Sequence, residues 1–257
     1  MSAAEKWVAF QTILIKEILR FMRIWLQTIL PPAITTTLYF VIFGNLIGSQ
    51  IADMDGFTYM EYIVPGLILM AVLTNSYANV VSSFYGSKFQ HNIEEMIISP
   101  IPNYIVLLGF IAGGVARGLV VGAVVTLVSL FFTDLNIQHV GLSALVVFLT
   151  AFLFAIAGLI NGIYANSFDD ISIIPTFVLT PLTYLGGVFY TIKMLPEFWQ
   201  TVSLINPVLY MVNAFRHGIL GVSDIDVYRG IFIIAIFCIG LFAWALSLLN
   251  RGVGIRN

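Results

Sequence analysis

The chain has 257 residues, of which 60% are hydrophobic and only 9% charged, and its mean hydropathy is +0.99. A soluble domain needs far more surface charge, so the composition is that of a polytopic membrane protein. The net charge of −2 argues against a nucleic-acid partner, and the lone cysteine, Cys238, can form no intrachain disulfide.

Lys16, Arg20 and Arg23 stand where a signal peptide needs an unbroken apolar stretch, so no signal peptide is expected. Residues 5–27 read instead as an amphipathic helix lying on the membrane surface. Trp7, Phe10, Leu14, Ile18, Phe21 and Trp25 step by three and four along one face, while Lys16, Arg20, Arg23 and Gln27 occupy roughly the opposite one. Aromatic groups toward lipid and basic groups toward water are what an interfacial helix requires.

A first span runs from about Leu26 to Gly48, with Pro31 and Pro32 near its start. Thr35, Thr36 and Thr37 can bond the carbonyls that proline leaves free. An acidic loop with Asp53, Asp55 and Glu61 leads to a second span over about Tyr62 to Phe84. The stretch from Gly86 to Asn103 is then a long polar interruption. Lys88, Asn92 and Glu95 recur at helical spacing, as do Phe89, Ile93, Met96 and Ile97 on another face, with Glu94 and Glu95 along a polar edge. A short amphipathic helix from Phe89 to Ser99 is expected, stopped by Pro100 and Pro102. Its spacing fits an element that takes a push from a soluble partner, and equally a capped interfacial loop without one. The paired acids gain little from a negatively charged inner leaflet and are better explained by basic groups on a partner.

Further spans cover about Tyr104 to Phe132, Gly141 to Ala165, Ile171 to Tyr190 and Arg229 to Leu249. Each approaches or exceeds the roughly 20 residues that cross the hydrocarbon core. Leu185 to Gly221 is too apolar for an ordinary loop and too interrupted by Gly186, Gly187, Pro196 and Pro207 for a plain span. One or two short helices that dip into the outer half of the membrane and return are expected, provided other protein covers them. A seventh, distorted span would put Arg251 and Arg256 outside. With six crossings, Lys6, Lys16, Arg20, Arg23, Lys88, Arg251 and Arg256 share the side of the N-terminus, and both termini are cytoplasmic by the positive-inside rule. Glycines at four-residue steps, such as Gly109/Gly113 and Gly114/Gly118/Gly122, predict close helix packing.

No P-loop occurs, and His91, His139 and His217 are far apart with no pattern that would hold zinc. Arg117 is the one ionisable residue deep in a predicted span, roughly 20 Å along its helix. A charge there needs a partner; Asn75 and Asn79 near the middle of span two, or backbone carbonyls, are the candidates. Structural support and a role in gating both fit.

Residues Lys16 to Thr28, Tyr39 to Gly48, the polar run Phe89 to Ser99 before Pro100, Asn166 to Tyr190 and Leu204 to Gly221 together resemble the membrane subunit of ABC-2-type transporters, and among them the YadH-type bacterial permeases. The resemblance covers essentially the whole chain, residues 1–257, as a single transmembrane domain. It implies an all-α homodimer of six-span subunits in the bacterial inner membrane, with two copies of a separate cytoplasmic ATPase that carries the ATP and magnesium. No cofactor in this chain and no enzymatic site are then expected. It further implies that Phe89 to Ser99 is the coupling helix, with Phe89, Ile93, Glu94, Glu95, Met96 and Ile97 as the residues that couple to the ATPase. Asn75, Asn79, Thr176, Thr180 and Tyr184 become candidates for lining the pathway. Cargo in such a family ranges over lipids, polysaccharides, drugs and ions, and no motif here selects one. The alternative is an ATP-independent secondary transporter or scaffold. A mid-depth carboxylate, which such transporters use, is missing from every predicted span.

Overall fold

A computed structural model describes residues 1–51 and 53–254 of the chain; Arg256, counted above for orientation, lies outside them. The described residues are helical and form no strand, apart from an isolated bridge between Met54 and Phe57 around the Asp55–Gly56 turn. Five helical stretches are long and apolar enough to cross a membrane: Trp25–Gly44, Tyr59–Phe89, Asn103–Ser129, Val140–Tyr164 and Val227–Arg251.

Helix α1 (Ala3–Arg23) starts at a reciprocal cap, in which Glu5 N–H donates to Ser2 Oγ and Ser2 N–H to the Glu5 carboxylate. It ends at Ile24, whose ψ of 36° leaves the helical range, so α1 stops short of Gln27. The first span is segmented into α2 (Trp25–Thr28), α3 (Leu30–Tyr39) and a wider π-helical turn over Phe40–Ile47. Thr28 Oγ donates to the Phe21 carbonyl at 3.0 Å, which satisfies one of the acceptors left open at the end of α1. Pro31 and Pro32 fall in the first turn of α3, where a missing N–H breaks no helical bond.

Helix α4 (Tyr59–Phe89) is the hub. Of its most apolar 18 residues 83% are buried, against 17% for the first span and 22% for the last. It packs most extensively on α6 (Asn103–Ser129) and α7 (Val140–Tyr164). Glycine makes these approaches possible. A Cβ on Gly118 would collide with the Ser76 side chain and lie 3.2 Å from the Val72 carbonyl, and one on Gly158 would lie 2.5 Å from the Tyr77 carbonyl. Gly109 and Gly113, by contrast, are filled chiefly from α1. They receive Ile13 and Glu17 of α1, so α1 is held against α6.

Helix α5 (Asn92–Ile98) connects α4 to α6 and is shorter than the predicted Phe89–Ser99. His91 takes a left-handed conformation, φ 62°, and separates the two helices. Phe89 therefore belongs to α4.

The predicted fifth span, Ile171 to Tyr190, is a continuous helical run of only 15 residues: α8 (Asp170–Ile174), a π-turn over Pro175–Leu179, and α9 (Thr180–Tyr184). At 1.5 Å per residue it is roughly 22 Å long, less than a full hydrocarbon core. Beyond it stand α10 (Glu197–Ser203) and α11 (Pro207–Leu220), then α12 (Val227–Arg251). Helix α11 is almost wholly buried against α4, α7 and α12, yet its 14 residues reach only about 21 Å. Asn206 caps it by accepting from Val208 N–H, and its amide donates to the Leu182 carbonyl at 2.6 Å.

Candidate functional site

One group of buried polar residues gathers on one side of α4. Asn75 and Asn79 stand one turn apart, and each receives a guanidinium. Arg117 Nη2 of α6 donates to Asn75 Oδ1 at 3.0 Å. Arg20 Nη2 of α1 donates to Asn79 Oδ1 at 2.8 Å and to its carbonyl at 2.9 Å. Arg20 thus points into the bundle rather than to water, as its place on the polar face of α1 had suggested. Beside it Glu17, fully buried, accepts from Ser83 Oγ at 2.6 Å and from Arg20 Nε at 3.3 Å. The sequence pattern hides this carboxylate, since it sits between Lys16 and Arg20 on a helix that reads as surface-bound. The spans themselves carry no mid-depth acid, but α1 delivers one to their flank.

A cavity of about 340 Å³ opens between the first span and α4. Gln27, Thr35, Thr36 and Tyr39 line one wall, Met70, Thr74 and Asn75 the other, and Arg117 lies at its side. Asn79 is fully buried under Arg20 and does not line it. Thr176 and Thr180 lie apart from this cavity, on an exposed face of the 170–184 run, whereas Tyr184, on the same face, stacks on the Phe189 ring that also meets Tyr39 of the cavity wall. Two of them are already engaged: Thr176 Oγ donates to the Ser172 carbonyl, and Thr180 Oγ to the Pro175 carbonyl five residues back, as the π-turn allows.

At the α4–α5–α6 turn, Ile93 is fully buried. It belongs to one apolar cluster with Ile13 of α1, Phe84 of α4, Phe110 of α6, Ile163 of α7 and Leu248 of α12. Met96 and Ile97 pack against that cluster, Glu95 is exposed, and Glu94 pairs with His91 at 2.9 Å. Phe89 stays mostly exposed and meets the Phe168 ring edge-on, with centroids 5.2 Å apart. Lys88 Nζ donates to the carbonyls of Ile163 and Ala165 at 2.9 and 2.7 Å, closing the C-terminus of α7. Next to it the Asp170 carboxylate accepts from Asn166 and Ser167 N–H. The bond from Asn166, joined by those from Ser167 and the charge of Lys88, holds it below the usual carboxylate range.

On the opposite side, Arg216 of α11 is buried. Its guanidinium carbon sits 3.9 Å from the Tyr62 ring centroid, and Nη2 donates to the Gly187 carbonyl at 2.6 Å. It staples the segment after Tyr184 to the start of α4. His139 and His217, distant in sequence, stack with ring centroids 5.5 Å apart. Among the described residues no third metal-ligating side chain joins them.

The profile of the ABC-2 type transporter family matches residues 8–220. Inner membrane transport permease YadH of Escherichia coli is 55% identical over 251 residues, covering 98% of each chain. Nodulation protein J of Sinorhizobium fredii is 23% identical over 217 residues, 84% of this chain and 82% of its own. Nodulation protein J of Rhizobium meliloti is 22% identical over 230 residues, 89% and 87% respectively. With its apolar helices and this near full-length similarity, the chain belongs to the ABC-2 type transporter family, as a multi-pass transport permease of the cytoplasmic membrane.

Proposed function

We propose that residues 1–257 form one transmembrane domain and serve as the membrane half of an ATP-driven exporter. It works as a homodimer with two copies of a separate cytoplasmic ATPase, which carries the ATP and magnesium. In this reading the chain crosses six times, through the five long helices and the stretch from Ile171 to Tyr190, with both termini cytoplasmic. Helix α1 lies along the inner surface, α5 is the coupling helix, and α10 and α11 dip in from the outer side and return. The cargo is a lipid, a polysaccharide or a drug-like molecule.

The observation that carries the reading is the seat of α5. Its apolar side, Ile93, Met96 and Ile97, is held in a cluster that all the long helices except the first span share, while Glu95 faces out. A helix of seven residues is unstable alone, so its shape is set by what it packs on, and a displacement of α5 acts on the cluster directly. Closure of the ATPase pair around ATP supplies the difference in binding between inward and outward states that such a push needs.

The test is to express the chain with its ATPase and compare the parent with Glu94→Lys/Glu95→Lys. Co-purification or coupled ATP hydrolysis should fall while the membrane fold survives. Unchanged recruitment and unchanged transport would remove α5 from the coupling role.

A further inference from the structure

We infer that the cavity beside Arg117 is a binding site for a singly charged oxyanion, a phosphate diester or carboxylate, carried on an amphiphile or free. Charge makes the first part of the case. Two guanidiniums, Arg20 and Arg117, bind asparagines one helical turn apart on α4, and a single carboxylate, Glu17, stands with them. The cluster therefore keeps one uncompensated positive charge in apolar surroundings, where a lone charge is costly. Glu17 is committed to Arg20 and Ser83, and among the described residues no carboxylate pairs with Arg117.

Hydrogen bonding makes the second part. Arg117 has five N–H donors, of which one is matched, by Asn75; its Nε is buried with no partner at all. Planar guanidinium groups favour oxyanions, which accept two such bonds in parallel. The walls supply hydroxyl and amide groups in Thr35, Thr36, Thr74 and Gln27 and no acid that would repel an anion.

Shape makes the third. The wall from Gln27 to Tyr39 is roughly 18 Å long at 1.5 Å per residue, so the site is a slot running inward from one end of the first span. Its volume lies at the lower end of the range for small-molecule sites, roughly 300–1,000 Å³. Pro31, Pro32 and Met70 give it an apolar side against which a hydrocarbon part can lie.

As a cargo position this site deepens the transport reading and rests on it; the test therefore uses the full chain without any ATPase, so that loss of the site leaves ATPase recruitment to be judged separately. The delipidated protein in detergent is titrated with dioleoyl phosphatidylglycerol, with uncharged dioleoylglycerol and with sodium phosphate. Retained lipid is counted by native mass spectrometry, and the melting midpoint is followed. Phosphatidylglycerol should bind at least tenfold more tightly than dioleoylglycerol. Arg117→Gln should abolish that preference, and Arg117→Lys should keep most of it. A response to phosphate but to neither lipid assigns the site to free anions; a response to the charged lipid alone assigns it to amphiphiles. Should Arg117→Gln fail to accumulate, Thr74→Leu fills the slot without touching the guanidinium and must weaken binding at least fivefold. The inference is overturned if the parent discriminates against none of the three, or if Arg117→Gln or Thr74→Leu binds as the parent does.

Discussion

Neutralising Glu17 is the sharpest probe of how α1 is joined to the bundle. The Glu17→Gln substitution keeps the shape and removes the charge. In the parent, the carboxylate accepts from Ser83 Oγ at 2.6 Å, and a hydrogen bond to a charged group contributes roughly 1.5–3 kcal/mol. The contact to Arg20 at 3.3 Å adds at most about 1 kcal/mol, because that guanidinium is 30% exposed and screened. An amide still offers Ser83 an acceptor but gives Arg20 no charge, so about half of the total, roughly 1–2 kcal/mol, should be lost. For a chain of this size that is a fall of about 2–8 °C in melting midpoint. Thermal unfolding of the detergent-solubilised protein measures it. The double variant Glu17→Gln/Arg20→Gln should lose less than the sum of the single losses, since the pair is then removed together. If Glu17→Gln melts with the parent, or if the two losses simply add, α1 is not held by this ion pair and the account of the cluster is wrong.

Gly118→Leu should strain the α4–α6 seam by about 1–3 kcal/mol or more and lower the yield of monodisperse protein, whereas Gly240→Leu, with open space around it, should not. Lys88→Met removes the charged cap on the α7 carbonyls and should cost about 1–2 kcal/mol in the same unfolding assay, with Lys88→Arg recovering part of it. Because the folded pKa of Asp170 is depressed, its contribution is present above the unfolded value of 3.8 and is lost as pH falls through the folded one. Asp170→Asn should accordingly melt less steeply with falling pH below 3.8 than the parent; identical acid profiles would discount the Asn166 and Ser167 bonds. With Cys238 replaced, single cysteines at Glu197 and Asp226 should both label from outside the cell, and labelling from opposite sides would mean an extra crossing.

Much of the helical layout was legible because spans announce themselves through run length alone. The boundaries of four long helices fall within a few residues of the apolar runs that predict them. Arg117 also stood out, since one cation in a glycine-rich apolar stretch has no other explanation than a polar neighbour. What the pattern could not convey was partnership. Gly109 and Gly113 look like any small-residue step, and only the packed chain shows α1 resting on them. Glu17 alternates with basic residues as a surface acid would, and its burial depends on Ser83, 66 positions away. The break at His91 was equally hidden, since no glycine or proline marks it and a left-handed histidine has no sequence signal. The 170–184 run is shorter than its apolar stretch because Asn206 holds the Leu182 carbonyl in its last turn and Arg216 ties Gly187, just beyond it, to α11.

The seating of Ile13 and Glu17 on Gly109 and Gly113 turns α1 into a lever with its fulcrum on α6. From Ile13 to Ala3 the arm is about 15 Å long, so a tilt of about 10° would carry its tip by about 3 Å. The other arm is short and ends at Arg20, whose grip on Asn79 converts that swing into a small, forceful pull on the middle of α4. A load applied to the first ten residues would thereby reach the hub helix without passing through α5.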